Sequence, residues 1–346
     1  MDRLETPTYS FVIPVLDEET CLGELLTRLR ETMQQLDGTT EVIFVDDGSS
    51  DRSFEMIEAA CREDARFRAI RFSRNFGHQM AITAGLDFAA GDAVIVMDAD
   101  LQDPPEVAID LVAKWREGCD VVHAVREDRE GESAFKVATA SLFYRLLARI
   151  GDVHVPGNAG DFRLMDRRAV EAFKLMRENN RYIRGMFGWI GFRQCTIPYT
   201  RSPRYAGTTK YPLRKMMKFA FDGIISFSSA PLRLALRFGF ILSGLAIAAG
   251  IVAIVVKLSG ALEVPGWTSV FLAVTFLGGV QLLTIGVMGE YVSRIHDEVR
   301  GRPLYLVSET QGFERSERGA DPRGLDHVLT GRDGEPSQDV PSLPPR

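Results

Sequence analysis

Two pairs of acidic residues carry the clearest chemical signal in this sequence of 346 residues, and the stronger pair is Asp98 and Asp100. Both follow the apolar, β-favouring run Val94 to Met97. In an extended segment, residues two apart point the same way, so the two carboxylates share one side. Hard oxygen ligands of this kind suit Mg²⁺ or Mn²⁺ carrying a substrate diphosphate. The alternative is an acidic turn that merely ends a strand, because Asp favours turns.

The second acidic pair, Asp46 and Asp47, follows the predicted strand Glu41 to Val45, which is apolar from Val42 onward. Gly48 to Ser50 are turn residues that could leave backbone amides free, and Asp51 can cap the next helix. Taken alone, this segment is a capped turn. Two acidic strand ends at one edge of a sheet instead favour a diphosphate site, because ligands of open α/β sheets bind at the carboxyl ends of the strands.

The elements that must position these acids alternate between strands and helices. Strands are predicted at Tyr9 to Pro14, Glu41 to Val45, Phe67 to Phe72, Asp92 to Met97 and Val121 to Val125. Helices are predicted between them, with a further helix at Phe135 to Ile150. This alternation predicts an α/β fold with a mostly parallel sheet and helices on both faces. The chain has no GxGxxG after the first strand and no GxxxxGKS/T, which argues against a Rossmann dinucleotide site and a P-loop.

The second half of the chain points to a membrane. Arg201 to Lys218 holds six basic residues and no acidic one, which suits an anionic surface or ligand. Phe238 to Val256 and Val264 to Gly289 carry no charge, and each exceeds or approaches the ~20 residues that cross a bilayer. Arginines flank the two runs at 233, 237, 294, 300 and 302. The positive-inside rule therefore predicts that both termini are cytoplasmic.

Composition and cysteine spacing narrow the class further. The net charge of -6 argues against a nucleic-acid partner. The four cysteines lie far apart without CxxC spacing, so we expect neither a zinc site nor a disulfide framework, and we expect a reducing compartment. The amino terminus has no apolar run and so no signal peptide is predicted. The segment from about Glu309 is rich in Gly, Pro and charge, which predicts disorder.

Several long motifs carry a resemblance to a known family. They are FVIPVLDEE, FVDDGSSD, SRNFGHQMAITAGLD, VMDADLQDPPE, GDFRLMDR and RYAGTTKYP, followed by the two apolar runs. In these segments, from about Tyr9 to Val307, the chain resembles the polyprenyl-phosphate glycosyltransferases of glycosyltransferase family 2. It is most like the bacterial undecaprenyl-phosphate glucosyltransferase branch, and it is similar to dolichol-phosphate mannose synthase. One departure is Asp17, where the family commonly has Asn.

This resemblance implies a nucleotide-sugar-binding fold of the GT-A type and an inverting reaction. The expected activity moves glucose from UDP-glucose to polyprenyl (undecaprenyl) phosphate and gives a β-linked product. Another sugar, such as mannose, an N-acetylhexosamine or an aminoarabinose derivative, is the first alternative. A membrane-anchored nucleotide-sugar-binding protein without activity is the second. A processive polysaccharide synthase is disfavoured, because the chain lacks a QxxRW motif and has only two predicted spans.

The resemblance also implies roles for individual residues. The nucleotide would be bound by Pro14, Glu18, Asp46, Asp47 and Asp98. The metal ion, Mg²⁺ or Mn²⁺, would be held by Asp98, Asp100 and Gln102. The lipid phosphate would be bound by Arg126, Arg129, Ser133, Lys136, Arg204 and Lys210. Asp100, Asp161 and Arg126 would be catalytic, with Asp161 acting either as a base or as a positioning residue.

The expected organisation has five parts. They are a cytosolic GT-A domain at 1–200, basic interfacial helices at 201–233, two transmembrane helices within 234–292 (about 238–257 and 267–289), a juxtamembrane segment at 293–308 and a disordered tail at 309–346. We expect a multi-pass protein of the inner (plasma) membrane with a cytoplasmic catalytic domain. We also expect a homo-oligomer, since two isolated spans per chain often associate.

Overall fold

A computed structural model describes residues 7–126, 159–201, 230–259 and 266–313 of the chain. The helix predicted at Phe135 to Ile150 lies outside these described residues. The same holds for five of the residues expected to bind the lipid phosphate, namely Arg129, Ser133, Lys136, Arg204 and Lys210. Their predicted roles therefore stay predictions.

Eight strands of the described chain form one mixed sheet. They are β1 (Tyr9–Val15), β2 (Thr40–Asp46), β3 (Phe67–Phe72), β4 (Ala93–Val96), β5 (Val121–Arg126), β6 (Ala159–Asp166), β7 (Gln194–Tyr199) and β8 (Val307–Gln311). Their spatial order is β7-β5-β6-β4-β1-β2-β3-β8. Strands β4, β1, β2 and β3 pair in parallel, as do β5 and β7, whereas β6 and β8 run antiparallel to their neighbours.

Helices cover both faces of this sheet. They are α1 (Glu19–Gln35), α2 (Ser53–Glu63), α3 (His78–Phe88), α4 (Val107–Arg116), α5 (Arg167–Lys174) and α6 (Ile183–Trp189). Successive side chains of β1 point to opposite faces, so Phe11 joins the core beneath α1, α2 and α4, whereas Val12 joins the core beneath α3, α5 and α6. Because both faces are covered, the central strands are continuous apolar runs. The predicted α/β class with a mostly parallel sheet is confirmed.

The last strand corrects the predicted start of the disordered tail. Residues 309–311 pair with β3, and Phe313 is 8% exposed, so the prediction of disorder is wrong for residues 309–313. Strand β8 has the sequence VSETQ, and a polar edge strand of this kind resembles a disordered segment in composition. Residues 314–346 lie outside the described part. The sheet thus includes a strand from well beyond residue 200, where the cytosolic domain was expected to end.

Two cysteines correct the expectation that the chain has no disulfide. Cys119 lies just before β5 and Cys195 lies on β7, and the structure joins them by a disulfide with a Cα–Cα distance of 6.0 Å. They are 76 residues apart in sequence, and only the parallel pairing of β5 with β7 brings them together. Cys21 and Cys61 are free thiols.

Two further helices are α7 (Ala230–Leu258) and α8 (Trp267–Arg300), which contact each other. Within them Leu234–Val252 and Ala273–Arg300 are long and apolar enough to cross a membrane. The carboxyl end of α8 contacts the sheet domain, because the Asn179 backbone N–H donates to Glu298 Oε2 at 3.0 Å. The helix ends at Arg300, and the following Gly301 adopts the left-handed conformation with φ 60°.

Candidate functional site

The acidic edge predicted after β4 is a tight turn in the structure. Asp100 Oδ1 accepts a hydrogen bond from the Gln102 backbone N–H at 3.1 Å. Leu101 between them has φ 58°, a left-handed conformation that is rare for a residue of this kind. Its side chain is buried in the core, which holds the strained backbone in place. Asp98 and Asp100 therefore lie on a rigid turn at the carboxyl end of β4.

Asp161 on β6 is brought beside this turn, because β6 pairs with β4. Its carboxylate accepts two hydrogen bonds from Arg184, Nε to Oδ1 and Nη2 to Oδ2, each of 2.9 Å. Arg163 adds a contact of 3.3 Å to Oδ1. Arg167, which directly follows β6, donates to the carbonyl oxygens of Ala89 and Gly91.

A histidine that sequence reasoning did not select joins the two acids. His78 Nε2 lies 3.4 Å from Asp98 Oδ1 and 3.7 Å from Asp161 Oδ2. It is the first residue of α3, so it follows the carboxyl end of β3 just as the acids follow β2 and β4. The available signal was its place in SRNFGHQM directly after a predicted strand.

The pKa values of Asp98 and Asp161 are shifted in opposite directions. Burial raises the pKa of Asp98 to about 6, although the neighbouring His78 opposes this shift. Burial would also raise the pKa of Asp161, but the contact with His78 and the charges of Arg184 and Arg163 outweigh it and hold that pKa well below its usual range. Partial desolvation opposes the charged imidazole, but the carboxylates of Asp161 and Asp98 outweigh it and raise the pKa of His78.

The oxygen atoms at this turn fit a divalent metal ion. Asp98 Oδ1 is buried and accepts no hydrogen bond from the described residues. Asp100 and the amide oxygen of Gln102 are further hard donors on the same turn. Within the described residues no group of three or more His, Cys, Asp and Glu side chains could hold a metal ion. A site with one or two carboxylates is nevertheless usual for Mg²⁺, which takes its other ligands from substrate phosphates and water.

The second acidic pair shapes loops at the end of β2. Asp46 Oδ1 accepts from the Ser49 backbone N–H at 3.1 Å, and Arg71 Nε lies 3.3 Å from Oδ2. Asp47 accepts from the backbone N–H groups of Phe76 and Gly77 at 2.6 and 2.9 Å. Burial raises the pKa of both carboxylates. Both acids therefore have protein partners, and they fix the loops that border the site.

The segment after β1 completes this border. Pro14 is buried on β1 opposite Val45, and the Glu18 backbone N–H donates to Ser53 Oγ at 2.9 Å. Asp17 has φ 54°, and its Oδ1 accepts from the Ser50 backbone N–H at 2.7 Å. Asp and Asn are the non-glycine residues that most readily adopt this left-handed conformation. The exchange of Asn for Asp at position 17 is therefore compatible with the turn.

Arg126 lies at the end of β5, and its Nε donates to the Tyr199 hydroxyl at 3.4 Å. The structure thus brings together Asp98, Asp100, Asp161 and the unpredicted His78 at one edge of the sheet. The predicted nucleotide-binding residues Pro14, Glu18, Asp46 and Asp47 occupy the neighbouring strand ends and loops, because β1 and β2 pair in parallel with β4 and with each other.

Comparisons with known proteins define the class. Residues 10–173 match the glycosyl transferase family 2 model. The Bacillus subtilis glycosyltransferase YkcC is 46% identical over 306 residues, which cover 88% of this chain and 95% of that one. The SfII prophage-derived bactoprenol glucosyl transferase of Shigella flexneri is 39% identical over 301 residues, 87% of this chain and 97% of that one. The chain therefore belongs to glycosyl transferase family 2, and it is a glycosyltransferase.

Among solved structures, the glucosyl-3-phosphoglycerate synthase of Mycobacterium tuberculosis aligns with a TM-score of 0.43 and 21% identity. The alignment covers 63% of this chain and 77% of that one.

Proposed function

We propose that this glycosyltransferase moves glucose from UDP-glucose to undecaprenyl phosphate and forms a β-linked polyprenyl monophosphate sugar. The observation that carries the proposal is the acidic turn after β4, with Asp161 held beside it by two hydrogen bonds from Arg184. This arrangement is suited to bind a nucleotide diphosphate and a second reactant. The acceptor is inferred from relatives that are named bactoprenol glucosyl transferases, at 39% identity over 97% of their length. Attack from the face opposite the leaving group on an α-linked donor accounts for the β-linked product.

The donor would be bound by residues at three neighbouring strand ends. Asp98, Asp100 and Gln102 would hold Mg²⁺ or Mn²⁺, and a bound metal ion supplies charge neutralisation for the leaving diphosphate. Pro14, Glu18, Asp46 and Asp47 would border the nucleotide. Through their hydrogen bonds to loop amides, the two acids after β2 keep this border in a fixed shape, so that less of the binding energy is spent on ordering loops.

The acceptor supplies its own nucleophile. A phosphate monoester has a second pKa of about 6, so its oxygens are largely ionised at neutral pH and need no strong base. The remaining task is to bring two anions together, for which Arg126 and, in the segments beyond it, Arg129, Ser133, Lys136, Arg204 and Lys210 would provide the cations. Asp161 would orient the groups around the reacting centre.

The membrane placement follows from the two long apolar helices. We propose that α7 and α8 cross the inner membrane, with the sheet domain and both termini in the cytoplasm. The arginines that flank the helices at 233, 237, 294, 300 and 302 support this topology. Side chains along both helices are exposed in the single chain, for example Phe240 at 72% and Leu283 at 71%. This exposure suits lipid contact and a homo-oligomer formed through the helices.

The test uses membranes that contain the full chain. They would be incubated with undecaprenyl phosphate and, one at a time, UDP-glucose, GDP-mannose, UDP-N-acetylglucosamine and an aminoarabinose donor, with mass analysis of the lipid product. We expect a hexosyl adduct from UDP-glucose only in the presence of a divalent metal ion. Transfer from another donor would replace glucose in the proposal, and absence of transfer from every donor, with nucleotide sugar still bound, would favour the binding-protein alternative.

A further inference from the structure

A fully buried carboxylate lies at the end of the acidic turn. Asp103 has 0% of its surface exposed, and its Oδ1 accepts a hydrogen bond from the Tyr199 hydroxyl. Its second oxygen accepts no hydrogen bond from the described residues. A buried charge of this kind is costly unless cations lie close to it. The residues that surround Asp103 therefore matter to the turn that also carries Asp98 and Asp100.

Two arginines supply those cations. Arg126 Nε donates to the Tyr199 hydroxyl at 3.4 Å, which places this guanidinium one hydroxyl away from Asp103. Arg201 Nε lies 3.8 Å from Asp103 Oδ1. The arrangement follows from the sheet, because Arg126 and Tyr199 are register partners on the parallel strands β5 and β7. Arg201 follows two residues after Tyr199.

Tyr199 is rigid, so the arrangement is precise. Its ring is 5% exposed and packs edge-on against Phe162 with 5.7 Å between the ring centroids. Phe162 in turn follows Asp161. The guanidinium of Arg126 passes over Gly160, since a Cβ atom at residue 160 would lie 3.4 Å from Nη2. Arg126 therefore runs beside the chain that carries Asp161, toward the edge that holds Asp98 and Asp100.

The charges of Asp103, Arg126 and Arg201 do not balance. One carboxylate, Asp103, serves two guanidinium groups, and the side chain of Arg201 remains 30% exposed. The group as described leaves one positive charge for a further anion. It lies beside the acidic turn, where the metal ion would already neutralise Asp98 and Asp100.

We propose that Asp103 and Tyr199 are positioning residues that hold Arg126 and Arg201 as one anion-binding pair, and that this pair binds the phosphate monoester of the acceptor lipid. The proposal rests on the proposed function and adds Arg201 to the residues expected to contact the acceptor. Chain connectivity supports it. The chain enters residues 127–158 directly after Arg126 and residues 202–229 directly after Arg201, and these two segments contain the other cations expected to bind lipid phosphate.

The test compares Arg201→Gln and Tyr199→Phe with wild type in steady-state transfer. Arg201→Gln should raise KM for polyprenyl phosphate about tenfold, because a charge-assisted contact to phosphate is lost. Tyr199→Phe should raise the same KM about threefold, since the ring stays packed and only the bridge to Asp103 is removed. KM for UDP-glucose should stay within about twofold in both variants, and Arg201→Lys should restore part of the lipid affinity.

Two matched controls lie at the amino ends of their strands, away from the carboxyl ends that form the site. Arg193→Gln removes an exposed arginine that precedes β7, and Tyr9→Phe removes a hydroxyl that bonds Arg116. Neither should change KM for either substrate. Inhibition by inorganic phosphate tests whether the pair recognises the phosphate group and not the lipid tail. If it recognises the phosphate group, Arg201→Gln should weaken this inhibition. An unchanged lipid KM, an equal loss for both substrates, or unchanged inhibition by phosphate would overturn the proposal.

A binding measurement separates this proposal from the proposed function. Titration of a short-chain polyprenyl phosphate into the full chain in detergent needs no turnover. If the wild-type protein binds this lipid but transfers no sugar, only the proposed function is contradicted. In that case, weaker lipid binding by Arg201→Gln would still support the anion-binding pair. Wild type that does not bind the lipid phosphate would overturn the anion pair as well.

Discussion

Arg184 donates two hydrogen bonds of 2.9 Å to Asp161, one to each carboxylate oxygen. Arg163 and His78 lie within 3.3 and 3.7 Å of the same carboxylate, so three cationic or basic groups surround one buried acid. A general base works best with a pKa near the working pH. The pKa of Asp161 is held far below that range, which favours the positioning role over the base that the sequence left open.

Asp161→Asn should lower kcat by about 100-fold, since an amide cannot hold both arginines and misplacement near the reacting centre costs about this much. KM for UDP-glucose should change by less than about threefold. Steady-state kinetics with both substrates measures these effects, with Glu171→Gln, which weakens two ion pairs remote from the site, as control. Arg184→Gln should raise the pKa of Asp161. If Asp161 acted as the base, this change would also shift the pH profile of kcat, and we expect no such shift.

Asp100→Ala should abolish transfer and leave membrane insertion intact, because the metal site would lose one of its ligands whereas Asp100 contributes nothing to α7 or α8. Transfer is measured with Mg²⁺ or Mn²⁺, and insertion by the fraction recovered in membranes. Asp110→Ala on the exposed side of α4 is the matched control and should behave as wild type. Full activity of the wild-type enzyme in excess chelator would rule out the metal role of Asp98, Asp100 and Gln102.

The sequence predicts the acidic turn and the central strands well, because both are local. An apolar run that ends in Asp98 and Asp100 identifies a buried strand and its carboxyl edge without any other part of the chain. The alternation of strands and helices then predicts the sheet. Strand β6 escaped prediction, since its sequence AGDFRLMD contains charges that are normally exposed. Arg163 on this strand is buried, and its contacts with Asp161, with the Gly160 carbonyl oxygen and with the Phe187 ring make that burial tolerable.

Long-range pairings account for the other missed features. The contacts of His78 with Asp98 and Asp161 require β6 to insert beside β4, and nothing near residue 78 in sequence indicates this. The disulfide of Cys119 and Cys195 depends in the same way on β7 joining β5. A one-dimensional pattern shows which face of an element is apolar, but it does not show which strand lies next to it.

His78→Ala should lower kcat about tenfold, because removal of the imidazole frees Asp98 and Asp161 to move apart or to bind water between them. His78→Gln keeps a hydrogen-bonding group of similar reach and should retain more activity than the alanine variant. The measurement is kcat at saturating UDP-glucose and lipid. Equal and unaltered kcat in both variants would show that His78 has no part in the site.

Protein stability should fall on acidification because of His123. It is 2% exposed, and burial lowers its pKa to about 4 from the 6.5 of the unfolded chain. Between pH 6.5 and 4 the unfolded state therefore binds more protons, and the free energy of unfolding falls as pH falls, by up to about 3 kcal/mol. His123→Gln should flatten the pH dependence of Tm of the full chain in detergent. His296→Gln, at an exposed position of α8, should leave it unchanged.

The segment after α8 should stabilise the sheet domain, although its composition predicts disorder. Phe313 packs edge-on against Phe88 with 5.3 Å between centroids, and the Arg68 guanidinium lies 5.2 Å from its ring. Phe313→Ala should therefore lower the free energy of unfolding by about 3 kcal/mol, as expected for a buried phenylalanine, and lower Tm in detergent. Leu306→Ala removes a side chain that is 45% exposed and should cost much less. Equal Tm values for Phe313→Ala and wild type would mean that Phe313 does not help to hold strand β8 against β3.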